Sequence, residues 1–148
     1  MSNRQKFYIN GEWDQPSTTD TLEVINPATE QVMDVVAMGG VADVDAAVAA
    51  AKAAFETFSQ TTKEERIALL EAIIAAYGAR MEEVAAVITE EMGAPTKLAK
   101  AAQAPTGIGH LMTALNVLKD FEFEEDFGTS RVIKEPAGVC GFITPWNW

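Results

Sequence analysis

Gly138-Val139-Cys140-Gly141-Phe142-Ile143-Thr144-Pro145-Trp146-Asn147 is the stretch on which the fold turns. Residues 138–144 are mainly apolar and rich in β-prone types. Such a run suits a strand covered on both faces, the environment of parallel sheets flanked by helices. Cys140 would then sit inside a buried strand with no adjacent base, which predicts an inert, structural thiol. Just upstream, Arg131-Val132-Ile133-Lys134-Glu135-Pro136 alternates apolar and charged residues. Phe121-Glu122-Phe123 also alternates, before the acidic Glu124-Glu125-Asp126 and Phe127-Gly128. Alternation of this kind suits an edge that seeks a partner strand.

Further back, some eighty residues read as helix. Val44, Ala47, Val48, Ala51, Phe55 and Phe58 fall on one face at helical spacing. Alanine between them loses least on entering a helix. Thr62 followed by Glu65 fits a capping box and opens a second helix, with Ile67, Leu70, Ile73, Ile74 and Tyr77 as its apolar face. Val84, Val87 and Ile88 mark a third, ended near Gly93-Ala94-Pro95. A fourth spans residues 96–121, and Pro105 inside it predicts a kink or break. The first forty residues read as β. Asn10-Gly11 between Phe7-Tyr8-Ile9 and Glu12-Trp13 signals a two-residue hairpin, because both residues tolerate positive φ. Residues 21–25 and 30–37 read as strands joined at Asn26-Pro27-Ala28-Thr29, with Gly39-Gly40 ending the second.

Composition narrows the partners. The chain has 148 residues, 48% of them hydrophobic and 22% charged, which are ordinary globular values. With 22 acidic against 11 basic residues the net charge is −11, so phosphate backbones and anionic membranes would repel it. Neither nucleic acid nor membrane is expected as a partner. No run reaches the roughly 18 apolar residues of a membrane span, and no signal peptide is visible, so the expected compartment is the cytoplasm. One cysteine forms no internal disulfide, and with the lone His110 it builds no zinc site. Gly39-Gly40 and Gly107-Ile108-Gly109 lack the spacing and context of a dinucleotide fingerprint. His110, beside Leu111 and Met112, reads as a packed or surface histidine. Glu64-Glu65, Glu82-Glu83 and Glu90-Glu91 read as solvated helix faces, with carboxylates in first turns complementing the helix dipole.

Residues 135–147 resemble the motif that opens the nucleotide-binding core of the NAD(P)-dependent aldehyde dehydrogenases: Pro136, Gly138-Val139, Gly141 and Ile143-Thr144-Pro145-Trp146-Asn147 stand at that family's spacing. Tyr8-Ile9-Asn10-Gly11-Glu12-Trp13 is similar to the family's N-terminal hairpin, and Val24-Ile25-Asn26-Pro27-Ala28-Thr29 to its next strand and turn. Ala42-Asp43-Val44-Asp45-Ala46-Ala47-Val48 and Ala53-Ala54-Phe55 resemble its first long helix, and Glu91-Met92-Gly93 the segment after its third. The resemblance covers nearly the whole chain.

It implies an α/β fold, the N-terminal part of a Rossmann-like nucleotide-binding domain. Residues 1–120 would be strands and a helical cluster of that domain, 121–136 an oligomerisation hairpin, and 137–148 the first strand of the nucleotide-binding core. It also implies that the nucleophilic cysteine, the general-base glutamate, a cofactor-gripping lysine and a glycine loop lie downstream, and that the 148 residues alone are inactive. Asn147 would be catalytic, its amide donating to the developing oxyanion. Ile143, Thr144, Pro145, Trp146 and Asn147 would line the NAD or NADP site, at the carboxyl end of a strand where open α/β sheets bind ligands. Val24, Ile25 and Glu91 would correspond to a monovalent cation site made mostly of backbone oxygens, the ligand type that hard cations prefer. Expected partners are a small-molecule aldehyde and further copies of the chain, as a dimer or tetramer. The alternative is a stand-alone, non-enzymatic interaction module that assembles through its hairpin.

Overall fold

The computed structural model describes residues 3–145. A 3-10 turn, Asn3–Gln5, leads into β1 (Phe7–Ile9) and β2 (Glu12–Asp14). Asn10 at φ 52° and Gly11 at φ 85° form the expected left-handed turn between them. Tyr8 therefore stands opposite Trp13, ring centroids 5.1 Å apart. β3 (Thr21–Asn26) and β4 (Gln31–Ala37) pair antiparallel around a turn that Asn26 organises. Its Oδ1 accepts the N–H groups of Ala28 at 2.9 Å and Thr29 at 3.3 Å, and its carbonyl accepts that of Glu30 at 2.8 Å. A short polar side chain that bonds its own backbone two residues on is a turn former. Register shifts within this pair: Val24 faces Asp34 but Ile25 faces Val32, so Met33 is an extra residue that bulges β4.

The helices follow their caps. α1 (Val41–Phe58) begins after Gly40, whose N–H donates to Asp43 Oδ2 at 2.7 Å. α2 (Lys63–Ala79) opens on the expected capping box: Glu65 N–H donates to Thr62 Oγ1 at 3.1 Å, and Thr62 N–H to Glu65 Oε2 at 2.8 Å. α3 (Met81–Met92) ends at Gly93, φ 71°. A Cβ there would lie 2.8 Å from Pro27 Cγ, so glycine serves both the left-handed conformation and the seating of the β3–β4 turn.

The expected helix over residues 96–121 is interrupted, as Pro105 predicts. A short α4 (Thr96–Leu98) runs into a π segment, Ala99–Gln103, and then into α5 (Ala104–Asp120), with Pro105 in its first turn. Proline has no N–H for the carbonyl four residues back, and its ring would collide with that carbonyl. The widened turn relieves both problems, and Ala104 N–H bonds Ala99 O, five residues back.

Small side chains make the core. Ala85, Ala94, Ala99 and Ala104 are buried, with Met81, Val84 and Ile88 packed around them. Tyr77 of α2 donates its hydroxyl to Ala104 O at 2.9 Å, and a Cβ at Gly107 would lie 2.7 Å from that hydroxyl oxygen. α1 departs from expectation. Phe55 of its apolar face is half-buried, but Val44 is 60% and Phe58 53% exposed. Periodicity marks which face is apolar, and only a neighbour can bury it; α1 packs on β1.

The remaining strands, β5 (Glu124–Phe127) and β6 (Ser130–Ile133), form a hairpin shorter than the expected 121–136. All pairing among the described residues is antiparallel, in three two-stranded ribbons. No helix among them is long and apolar enough to cross a membrane.

Candidate functional site

Three cations converge where α5 gives way to β5. Lys63, first residue of α2, donates its Nζ to the carbonyls of Lys119 at 3.1 Å and Phe121 at 3.2 Å. These carbonyls stand at the negative end of α5, where a cation is favoured. Arg66 lies with its guanidinium 5.5 Å above the Phe123 ring. It is fixed from behind by Nε to Thr61 Oγ1 at 2.9 Å and Nη2 to Ser59 O at 3.2 Å. Phe123 meets Phe121 edge to face, centroids 4.9 Å apart at 70°.

Lys134, the residue after β6, closes the clasp. Its backbone N–H donates to Phe123 O at 2.8 Å, and its Nζ donates to Glu122 O at 2.9 Å, pairs with Glu125 and sits 4.8 Å over the Phe121 ring. A cleft of about 430 Å³ lies behind it, lined by Phe55, Phe58, Phe121, Phe123, Pro136 and Gly138 among others.

Beyond the clasp the hairpin projects. Gly128 at φ 60° turns it, and Arg131 ties it across the strands, Nε to Asp126 Oδ1 at 2.8 Å and Nη1 to Glu124 Oε2 at 3.1 Å. The Asp126 hydrogen bond, then the Glu124 charge, hold the Arg131 pKa above its ordinary value. Phe127, Val132 and Ile133 are exposed, and each strand has one partner, so both outer edges are free of strand partners among the described residues.

After Lys134 the backbone runs to residue 145 without regular structure. The strand expected over residues 138–144 is thus not formed here. No strand among the described residues lies beside it to take its hydrogen bonds, and an apolar run holds a strand only within a sheet. Cys140, expected to be buried, is exposed for the same reason, and its thiol donates to Gly138 O at 3.7 Å. Ile143, Thr144 and Pro145 are exposed, Ile143 completely at 101%. Trp146 and Asn147 lie outside the described residues.

Val24 and Ile25 lie at the register shift of β3, and β3 packs on α3, whose last turn carries Glu91. The two elements meet through Pro27 and Gly93, and Glu91 is exposed. Among the described residues β3 pairs only with β4, so its other edge leaves backbone oxygens free of a strand there, which is the donor type a hard cation takes. No group of three His, Cys, Asp or Glu side chains that could hold a metal ion occurs among the described residues. His110 is exposed on α5, as a surface histidine.

The basic clasp is the part that sequence reasoning missed. A signal was present: Lys63 and Arg66 stand in the first turns of α2, the end where a helix favours acid over base. Cations placed there against their own dipole point to acceptors elsewhere, for Lys63 the carbonyls at the end of α5 and for Arg66 Ser59 O, Thr61 Oγ1 and the Phe123 ring.

The sequence model described as the aldehyde dehydrogenase family matches residues 13–148. A 3-succinoylsemialdehyde-pyridine dehydrogenase of a Pseudomonas species is 50% identical over 149 residues, an alignment covering 100% of this chain and 31% of the relative. Among solved structures, a mutant of aldehyde dehydrogenase C from Pseudomonas syringae, complexed with NAD+ and octanal, is 44% identical. It superposes with a TM-score of 0.96 over 99% of this chain and 30% of that one. An aldehyde dehydrogenase of Mycobacterium tuberculosis complexed with NAD+ is 31% identical, TM-score 0.82, over 89% of this chain and 29% of that one. The fold is therefore that of the N-terminal α/β segment of such enzymes, and the chain spans about a third of their length. Nothing among these likenesses supports a stand-alone interaction module.

Proposed function

This chain belongs to the aldehyde dehydrogenase family, and from that we propose that it is the N-terminal segment of an enzyme that oxidises an aldehyde to a carboxylic acid with NAD(P)+. The observation that carries the reading is the reach of the family match, which runs to residue 148 and so takes in Asn147. Attack of a thiolate on the aldehyde carbon leaves a negative oxygen that needs a fixed donor in a dry site. The Asn147 amide supplies it: a neutral NH₂ group donates without a proton of uncertain ownership. The nicotinamide, when bound, accepts the hydride. Ile143, Thr144, Pro145 and Trp146 line its site, and the complete exposure of Ile143 leaves apolar surface for a cofactor and its surrounding sheet to cover. NAD+ is favoured over NADP+, since the solved relatives named above carry NAD+.

The same reading gives the other surfaces their roles. The β5–β6 hairpin, with its free edges, pairs with another copy of the chain as a dimer or tetramer. A monovalent cation would be held mostly by backbone oxygens of Val24, Ile25 and Glu91, where β3 faces the bulge of β4 and packs on α3. The enzyme works in the cytoplasm. NADH formation by the full-length polypeptide that carries this segment, mixed with NAD+ and an aldehyde, is the test. Turnover is expected, and Asn147→Ala should lower kcat by about 10²–10³ while leaving the KM for NAD+ within a few-fold. Absence of NADH over a panel of aliphatic and aromatic aldehydes would overturn the proposal.

A further inference from the structure

The clasp at the α5–β5 junction stands four residues before the apolar run of residues 138–144. That run is apolar on both faces and contains Gly138 and Gly141. Alternation fixes the register of a strand with one buried face, whereas a glycine-rich run without alternation specifies it weakly. In the sheet that the proposed function implies, a slip of one residue would move the residues of this strand by about 3.3 Å and turn each to the opposite face. Something other than the run must therefore set its register.

The structure supplies that element at Lys134. This residue is held by its backbone bond to Phe123 O, its Nζ bond to Glu122 O, its pairing with Glu125 and its seat over Phe121. The aromatic pair beneath is itself held to the helical body by Arg66 over Phe123 and by Lys63 on the carbonyls of Lys119 and Phe121. Pro136 then locks φ two residues on, and Gly138 turns the chain at φ 98°. Between this anchored point and residue 145, the one side-chain hydrogen bond among the described residues is donated by the Cys140 thiol to Gly138 O.

We propose that Lys134, as the end of the Lys63–Arg66–Lys134 clasp, is a positioning residue that sets the register of the following strand and so places the Asn147 amide. The inference rests on the catalytic reading of Asn147 given above. It acts through the anchored start of the segment: Asn147 lies thirteen residues beyond Lys134, and holding Lys134 limits how far the strand between them slips.

The test uses the full-length polypeptide and a double-mutant cycle. Lys134→Met keeps the length of the stem and removes the charge. It should lower kcat about tenfold, with less than a twofold change in the KM for NAD+, and Lys134→Arg should restore kcat to within twofold. In an Asn147→Ala background, Lys134→Met should change kcat less than twofold, because there is no amide left to misplace. An equal fall in both backgrounds, or no fall in the parent, overturns the proposal, as does a loss that Lys134→Arg does not repair. Should Lys134→Met fail to fold, Arg66→Met carries the same cycle from the other end of the clasp, with the same outcomes. If Asn147→Ala itself leaves kcat unchanged, the catalytic reading fails. If it slows the enzyme and the cycle is additive, the clasp proposal alone fails.

Discussion

At the scale of single residues, glycine positions carry the sharpest consequences. Gly93 combines a left-handed backbone with a neighbour, Pro27, that leaves no room for a Cβ. Gly93→Ala should destabilise by about 1–2 kcal/mol from the backbone alone, with the Pro27 contact adding to it. A lowered unfolding midpoint of the full-length protein would show this, and a midpoint equal to that of the parent would refute it. Tyr77→Phe removes the hydroxyl bond to Ala104 and should lose about 1 kcal/mol by the same measurement. Legibility at this scale was uneven. Asn10, Gly11, Gly93 and Pro105 announce themselves because their backbone demands are their own. Cys140 did not: its burial depends on strands that pair beside it, and no pattern around the residue supplies them.

Caps and ribbons set the behaviour of the elements. Thr62→Ala removes the acceptor for Glu65 N–H and should cost about 1 kcal/mol. Asp43 ties the start of α1 to the loop before β3, accepting Ser17 Oγ at 2.6 Å, Ser17 N–H at 2.9 Å and Gly40 N–H at 2.7 Å. The Ser17 hydroxyl, then the Gly40 amide, hold its carboxyl below the ordinary value of 3.8, against a smaller opposing effect of burial. The folded pKa is thus lower than the unfolded one. The stabilisation is complete above pH 3.8 and disappears as pH falls through the depressed folded value. Hydrogen exchange of the Ser17 and Gly40 amides should accelerate in Asp43→Asn at neutral pH, and in the parent only at strongly acidic pH. Equal rates in parent and variant at neutral pH would contradict it. Both caps are legible in sequence in different degrees: Thr62 and Glu65 form a local pattern, while Ser17 reaches Asp43 across 26 residues. The basic clasp belongs to the same long-range class, joining α2 to the end of α5 and to Lys134.

For the molecule as a whole, surface is the telling quantity. A folded monomer of 16.0 kDa exposes roughly 7,400 Å² by the usual scaling. This chain exposes 11142 Å², about half as much again, and no large side chain is fully buried among the described residues. Phe142, Ile143, Val44 and Phe58 are among the apolar groups left in solvent. The 148 residues produced alone should bind a hydrophobic dye, self-associate and reduce no NAD+. A monomer that unfolds cooperatively without binding dye would contradict this expectation. Sequence pattern gives α1 an apolar face and the run at 138–144 a mainly apolar character without period, while the family is legible in the motif of residues 135–147 and the segments before it. Pattern could not say what covers α1 and that run, since burial is a property of a pair of surfaces and the sequence of one surface describes only half of it.

The π segment between α4 and α5 acts on the molecule as a phase shifter. It houses one residue more than an ordinary helical turn would, and each residue turns a helix by about 100°. Everything mounted on α5 is indexed to that extra step: Leu115, buried, and Leu111 and Leu118, half-buried, point inward with it. Delete a single residue from Ala99–Gln103 and the whole downstream helix rotates by more than a quarter turn. Its apolar stripe would then face water, and the clasp at its far end would lose its alignment with Lys63. A length change of one residue there is more disruptive than most substitutions anywhere on the helix.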